Sequence, residues 1–386
     1  MTAQPSQPER PSRRRTGAPD VDARLRELLD TLDISTNRDQ LLEILVTVVG
    51  MATDSTDRYD LKITNAALQE MREAFRVFAP YRDVPKVTMF GSARTREEDP
   101  LYTQARDLAG VLAGRGWMVI TGAGPGIMAA GMEGAGRDMS FGINIRLPFE
   151  QGANEIIAED PKLVEMKYFF TRKLMLMKES DGFVVLPGGF GTLDESFELL
   201  TLVQTGKTEP SPIVLLEVPG GTYWHRWHSF LADEVAGRGL ISEEDHVLYR
   251  ITDDVTTAAE EIFGFYRNYH SRRFVGDRLV LRLRAAPTPD ELDRLNDAYA
   301  DICVTGRIEA VDPLPAELST DDHVHLPRIA LHFDRLHHGR LRQLIDTINT
   351  LDSAPPELLG PAERELVAGG RPDETLTADR DPNLRQ

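Results

Sequence analysis

The chain has 386 residues, with 62 acidic side chains against 44 Lys and Arg, for a net charge of −18. That balance argues against a general nucleic-acid binder, which needs a basic face to neutralise phosphates, yet leaves room for a small phosphorylated ligand in a local cradle of donors. The length suits two domains plus tails, and 41% hydrophobic with 27% charged residues is a globular composition.

A single cysteine, Cys303, excludes an internal disulfide and a zinc site built on thiolates, and fits a reducing compartment. No apolar run approaches the roughly 20 residues that cross a bilayer. Arg13, Arg14 and Arg15 resemble a twin-arginine signal, but TGAPDVDARLRELLD follows them and is too polar for the apolar segment such a signal needs. The expected location is the cytoplasm.

In chain order, residues 1–18 are rich in Pro, Ser, Gln and Arg and read as a disordered tail. Helical periodicity runs from Val21 to about Met51, through Leu25, Leu28, Leu29 and Leu32 and then Leu41, Leu42, Ile44, Leu45 and Val48. A second helical stretch runs from about Lys62 to Phe78 and stops before Pro80. From Pro85 the pattern alternates. KVTMFG (86–91), WMVITG (117–122), FGINIRLP (141–148), GFVVLPG (182–188) and PIVLLEV (212–218) read as strands. Helical patterns over Tyr102–Ala113, the segment opening at PGIMAAGMEGAG, Tyr168–Lys178, Leu193–Gln204 and Trp224–Ala236 separate or follow them. Short apolar strands alternating with helices imply a parallel sheet covered on both faces. Then RLVLRLRAA (278–286) and HLPRIALHF (325–333) read as strands, with PTPDELDRLNDAYADI and HGRLRQLIDTINTL as helices.

The expected fold class is therefore α/β: a Rossmann-like doubly wound parallel sheet, preceded by helices and followed by a small α+β appendage. The expected division is a tail over 1–18, a helical segment over 19–83, the nucleotide-binding domain over 84–271, the appendage over 276–353 and a flexible tail over 354–386.

Three Gly-rich turns each follow an expected strand: FGSAR (90–94), TGAGPGIM (121–128) and LPGGFGTLDE (186–195). In an open parallel sheet such turns lie at the carboxyl ends of the strands, where ligands bind. Backbone N–H groups and helix N-termini there form an anion site without a basic surface. Two nucleotide motifs fail on spacing. Gly122, Gly124 and Gly126 make GxGxG, with Ile127 where the dinucleotide fingerprint needs its last glycine. TGKT (205–208) resembles the end of a P-loop, but the first glycine of that motif would fall at Thr201, inside a helical pattern. In the third turn, Thr192 and Glu195 match a T-x-x-E capping box, a purely structural use. The functional alternative places the Glu195 carboxylate beside a bound phosphosugar.

PGGFGTLDE, with TRK (171–173) upstream, resembles the signature of the LOG ("lonely guy") family of nucleoside 5'-monophosphate phosphoribohydrolases. FGSAR and GAGPGIMAAGMEGA resemble that family's other turns in the same order, so the likeness covers about residues 84–270. The resemblance implies hydrolysis of an N-glycosidic bond to free base and ribose 5-phosphate, with AMP or an N6-modified AMP as substrate. It implies no cofactor, no metal and a homodimeric core. By the same resemblance Glu195 is the catalytic carboxylate and Arg172 its partner. Gly188, Gly189, Gly191 and Thr192 hold the 5'-phosphate, and Lys173 and Asp194 are their neighbours in the two motifs. Gly124 in the second turn, Ser92 in the first and Glu150 in LPFEQGAN complete the expected substrate contacts. Such proteins have also been described as possible lysine decarboxylases, but no pyridoxal-lysine context stands out here.

The N-terminal helices and the appendage exceed the minimal family core. Longer bacterial members of the family it resembles include nucleosidases acting on ordinary purine or pyrimidine monophosphates, so the base preference stays open. A non-enzymatic carrier is the rival reading, because molybdenum-cofactor carrier proteins resemble the same core. Such a carrier has no use for a carboxylate at the reacting sugar. His323, His325, His332, His337 and His338 cluster in the appendage. His323 and His325 on one strand face would suit a metal, but the expectation is a polar surface. Cys303, between Ile302 and Val304, reads as a core residue, and Trp224 and Trp227 as the anchors of their helix.

Overall fold

The structure, a computed structural model, describes residues 14–146 and 152–356. The chain divides into two compact units, the first ending at Gln69 and the second beginning at Glu70. In the first, α1 (Pro19–Thr31) and α2 (Arg38–Thr53) pack around Leu29, Leu42 and Val46. The single helical stretch expected over 21–51 is broken between them, where Asp33 and Asn37 take the left-handed conformation (φ 51° each). Part of the expected disordered tail is bonded. Arg14 pairs with Asp39 and Glu43 at 2.9 and 2.8 Å, and the Thr16 N–H donates to Asp22. Residues 1–13 lie outside the described residues. Helix α3 (Arg58–Phe78) ends in the second unit.

The second unit is built on seven parallel strands: β1 (Lys86–Phe90), β2 (Met118–Thr121), β3 (Ser140–Ile145), β4 (Leu163–Met166), β5 (Gly182–Val185), β6 (Ile213–Leu216) and β7 (Arg250–Thr252). Their order is β4-β3-β2-β1-β5-β6-β7. Strands β1, β2, β5 and β6 are buried along their whole length, which is why they read as continuous apolar runs. Alternation then divides their side chains between two cores. Val119, Val184, Val214 and Leu216 face α4 (Pro100–Gly114), α5 (Ile127–Ala135) and, beyond them in the chain, the helix over Val255–Gly264. Ile120, Phe183, Val185, Ile213 and Leu215 pack with the end of α3, α6 (Phe169–Lys178), α7 (Phe190–Gln204) and α8 (Tyr223–Phe230). The helix over Val255–Gly264 is α9. Strands β4 and β7 were not read from the sequence. β4 has one exposed and one half-buried position in four and β7 has three residues, none buried, so neither gives a continuous apolar run.

The appendage is a four-stranded antiparallel sheet ordered β10-β11-β9-β8, made of β8 (Tyr269–Val275), β9 (Arg278–Leu283), β10 (Glu309–Ala310) and β11 (Arg328–Leu331). With α10 (Pro289–Tyr299), α11 (Pro315–Leu318) and α12 (His338–Asn349) it encloses its own core around Leu281, Leu295, Ile329 and Leu344. Its first strand starts at Tyr269, earlier than the expected boundary at 276, because YHSRRFV carries four charged or polar residues that hide a strand. Arg282, Glu317 and Arg328 form a fully buried ion cluster there. Helix α12 also reaches the main sheet's side: Arg342 pairs with Glu261 and with Asp346, and Asn349 Oδ1 accepts from the N–H groups of Asn268 and Tyr269 at 2.8 Å each. The appendage thus lies within the same compact unit as the sheet. Residues 357–386 of the expected flexible tail lie outside the described residues, while Ala354 is buried and the Pro355 carbonyl accepts from Arg267.

Helix α10 is started by Thr288, whose hydroxyl accepts from the Glu291 N–H while Glu291 accepts from the Thr288 N–H. Burial disfavours the Glu291 carboxylate, but bonds from Thr288 and Ser353 prevail and hold its pKa down at about 2. Thr288→Ala removes one side of this box and is expected to cost about 1 kcal/mol in urea unfolding of the full chain.

Candidate active site

The sheet order reverses between β1 and β5, so the turns after these two strands flank the switch point where open α/β sheets bind ligands. The turns touch. The Ser92 N–H donates to the Pro187 carbonyl at 3.3 Å, and the Ile127 N–H donates to the Ser92 carbonyl at 3.1 Å. Gly126 has φ 68°, and a Cβ there would come within 2.3 Å of the Ser92 carbonyl oxygen, so the second turn can approach the first only with glycine at this position. The Ser92 hydroxyl itself accepts from the Arg94 N–H at 3.1 Å. Gly124 lies on the other flank, its carbonyl accepting from Asn154 Nδ2 at 3.1 Å, while the Asn154 N–H donates to Ala123. Asn154 therefore ties the segment after β3 to the second turn. Glu150, in that segment, lies outside the described residues.

Helix α7 begins earlier than its apolar pattern suggests. Its N-cap is Gly189, without a side-chain cap, and the first helical bond runs from the Leu193 N–H to the Gly189 carbonyl. Thr192 is thus inside the first turn and not the cap, so the T-x-x-E capping box is not formed. The N–H groups of Gly189, Phe190, Gly191 and Thr192 have no intrahelical acceptor and crown the positive end of the helix. No heavy atom lies within 4 Å of where a Cβ on Gly189 or Gly191 would sit, so both face open space. Gly188 is the reverse: a Cβ there would meet the Thr192 hydroxyl at 2.2 Å.

Freed from capping, Glu195 meets Arg172. Arg172 Nη1 stands 3.5 Å from Glu195 Oε1, with the two side chains only 10% and 13% exposed. The guanidinium is held from behind by Nε donating to the Ile143 carbonyl at 2.9 Å, and it lies against Gly122, where a Cβ would collide with Nη2 at 2.0 Å. Helix α6, which carries Arg172, is fixed by Glu70 in the middle of α3. One oxygen of Glu70 accepts from the Lys167 N–H and the other from the Thr171 hydroxyl at 2.6 Å. Burial pushes the Glu195 carboxyl up to about 7, against the pull of Arg172 toward the ionised form. The group stands near half-ionisation at neutral pH, which suits acid–base work.

Lys173 points to a different set of partners. It pairs with Asp194 at 3.1 Å and with Glu198, so in this structure Lys173 and Asp194 neutralise each other along α6 and α7. Burial lowers the Lys173 pKa, but these pairings prevail and raise it. Two further contributors were not legible as such. Gly122 was visible only as a turn glycine, and Tyr223, whose hydroxyl donates to the Gly188 carbonyl at 2.8 Å, carried no signal in the sequence. TGKT ends a helix: Gly206 has φ 66° and its N–H returns to the Val203 carbonyl. His323 and His325 lie in a turn before β11, not on a strand face, and the His323 ring packs 4.7 Å from that of His270. Among the described residues no group of three or more His, Cys, Asp or Glu is placed to hold a metal ion. Among them, too, no helix is long and apolar enough to cross a membrane.

A doubly wound parallel sheet with three joined Gly-rich turns at its switch point, a bare helix N-terminus and a buried Arg–Glu pair beside it defines a Rossmann-like α/β protein. A family model described as "possible lysine decarboxylase" matches residues 126–262. The probable cytokinin riboside 5'-monophosphate phosphoribohydrolase LOGL3 of Oryza sativa subsp. japonica is 31% identical over 174 residues, 44% of this chain and 78% of that one. LOG3 of Arabidopsis thaliana, a cytokinin riboside 5'-monophosphate phosphoribohydrolase, is 29% identical over 161 residues, 41% of this chain and 72% of its own. The Mycobacterium tuberculosis protein of that enzyme name is 32% identical over 118 residues, 30% of this chain and 63% of its own. Among solved structures, the molybdenum cofactor carrier protein of Chlamydomonas reinhardtii aligns over 45% of this chain and 93% of its own, at 23% identity and a TM-score of 0.32. The chain belongs to the LOG family of phosphoribohydrolases.

Proposed function

We propose that the protein hydrolyses the N-glycosidic bond of nucleoside 5'-monophosphates, AMP or an N6-modified AMP foremost, releasing the free base and ribose 5-phosphate. The observation that carries this reading is the buried Arg172–Glu195 pair beside the open start of α7. The 5'-phosphate sits on the N–H groups of Gly189, Phe190, Gly191 and Thr192, where the helix dipole adds to the hydrogen bonds. Ser92 and Gly124 border the sugar from the other two turns. The base departs with the glycosidic electron pair and gains a proton from solvent, leaving positive charge on the ribose, and an ionised Glu195 next to it stabilises that charge and takes a proton from the attacking water. Arg172 orients the carboxylate and keeps part of it ionised despite burial. The chain's own groups suffice for this chemistry.

The active assembly in this reading is a homodimer acting in the cytoplasm. Phe169 and Phe170 are each 53% exposed and Phe190 is 94% exposed, an apolar rim that such an assembly covers. The carrier reading has no use for a carboxylate tuned to about 7 beside the sugar position. Incubating the purified chain with a panel of nucleoside monophosphates, and following base and ribose 5-phosphate by chromatography, is expected to show adenine released from AMP. Binding of the panel without release of any base would replace this reading by the carrier.

A further inference from the structure

The third turn is gripped from outside the motif that contains it. After β6, both oxygens of Glu217 accept backbone N–H groups at the start of α8, from Tyr223 at 2.8 Å and Trp224 at 3.0 Å. Gly221 leaves the room this carboxylate needs, since a Cβ there would meet Glu217 at 2.2 Å. Trp224 is fully buried, and its indole N–H donates to the Leu216 carbonyl at 3.3 Å. The Tyr223 ring stands edge-on to that indole with centroids 4.8 Å apart. Tyr223 thus projects from a rigid bracket, and its hydroxyl donates to the Gly188 carbonyl at 2.8 Å.

That bond has a directional consequence. No peptide bond among the described residues is cis. In a trans peptide the carbonyl of one residue and the N–H of the next point to opposite sides of the chain. Holding the Gly188 carbonyl toward Tyr223 therefore aims the Gly189 N–H away from it. Gly189 is the N-cap of α7, and its N–H is the first of the four donors without an intrahelical acceptor. A Gly-Gly peptide has little side-chain hindrance to rotation, so without an outside bond this donor has no fixed direction.

We propose that Tyr223 is a positioning residue for the ligand's phosphate: by fixing the Gly188–Gly189 peptide plane it pre-orients the Gly189 N–H, and so selects phosphorylated over unphosphorylated sugars. The inference rests on the proposed site, with phosphate at the start of α7. Preorganised donors avoid an ordering cost on binding, so the loss on removing the hydroxyl falls on phosphate affinity and not on the chemical step.

The test is Tyr223→Phe, which keeps the ring and its packing, with Trp224→Phe as a control in the same bracket that leaves the hydroxyl in place. Calorimetry with ribose 5-phosphate and with adenosine is run beside AMP kinetics. Tyr223→Phe is expected to weaken ribose 5-phosphate binding and raise KM for AMP about tenfold, with kcat within about twofold and adenosine binding unchanged. Trp224→Phe should lower the melting temperature without that phosphate-selective loss. Unchanged ribose 5-phosphate affinity in Tyr223→Phe, or an equal loss for adenosine, would overturn the proposal. If ribose 5-phosphate binds and weakens as expected but no nucleotide is hydrolysed, Tyr223 keeps its role and the hydrolase reading fails by itself.

Discussion

Glu195→Gln is expected to lower kcat for AMP by about a thousandfold while leaving the Kd of AMP within a few-fold, measured by single-turnover kinetics and calorimetry. The amide keeps the shape of the carboxyl, so the helix start and the Gly188 turn keep their packing, but it carries no charge to set against the ribosyl cation and no base for water. Normal turnover in the variant would remove Glu195 from the chemistry. The same substitution has a second signature with a definite sign. The folded pKa of about 7 lies above the ordinary carboxylate value of 4.5, so this group's contribution to stability is fully present below 4.5 and is lost as pH rises through about 7. Burying the ionised form is what the fold tolerates for function. Ligand-free Glu195→Gln should therefore melt above the wild type at about pH 8, and the difference should shrink toward about pH 5. A gap that widened toward acid would contradict the assigned environment of the carboxyl.

How far these groups were legible in the sequence depends on what each one needs. Strands β1, β2, β5 and β6 are buried on both faces, so they appear as apolar runs, and of the turn glycines Gly126 marks where the second turn's backbone crosses the first so closely that only glycine fits. Arg172 and Glu195 were named from a resemblance, since 23 residues separate them and nothing local says that they meet. What brings them together is the reversal of strand order between β1 and β5 and the hold of Glu70 on α6, both long-range. Thr192 misled for a local reason: T-x-x-E is a cap only if the helix starts there, and Gly189 starts it three residues sooner. The four charged or polar residues of β8 hid a strand whose arginines are paired, Arg273 with Asp322 inside the appendage and Arg272 with Glu209 in the loop before β6. A buried charged residue is invisible to a hydrophobicity pattern until its partner is known.

Arg172→Ala is expected to lower kcat for AMP at about pH 7 by roughly a hundredfold, and to move the acid limb of the pH–rate profile to higher pH. Two opposing influences set the Glu195 pKa: burial raises it, and Arg172, with Nη1 3.5 Å away, is the largest influence lowering it. Without the guanidinium the burial is less opposed, and Lys173 is occupied with Asp194 and Glu198, so the carboxyl climbs above about 7 and is protonated at neutral pH. Part of the lost rate should return as the pH is raised toward about 9, where the carboxyl ionises again. The remaining deficit measures orientation, because the bond from Arg172 to the Ile143 carbonyl and the fit against Gly122 also fix where the carboxylate points. Arg172→Lys separates the two effects: it restores a positive charge, so the acid limb should move back, but a lysine lacks the fork that reaches Ile143 and Glu195 together. A profile whose acid limb stayed in place in Arg172→Ala would show that the titrating group is not Glu195.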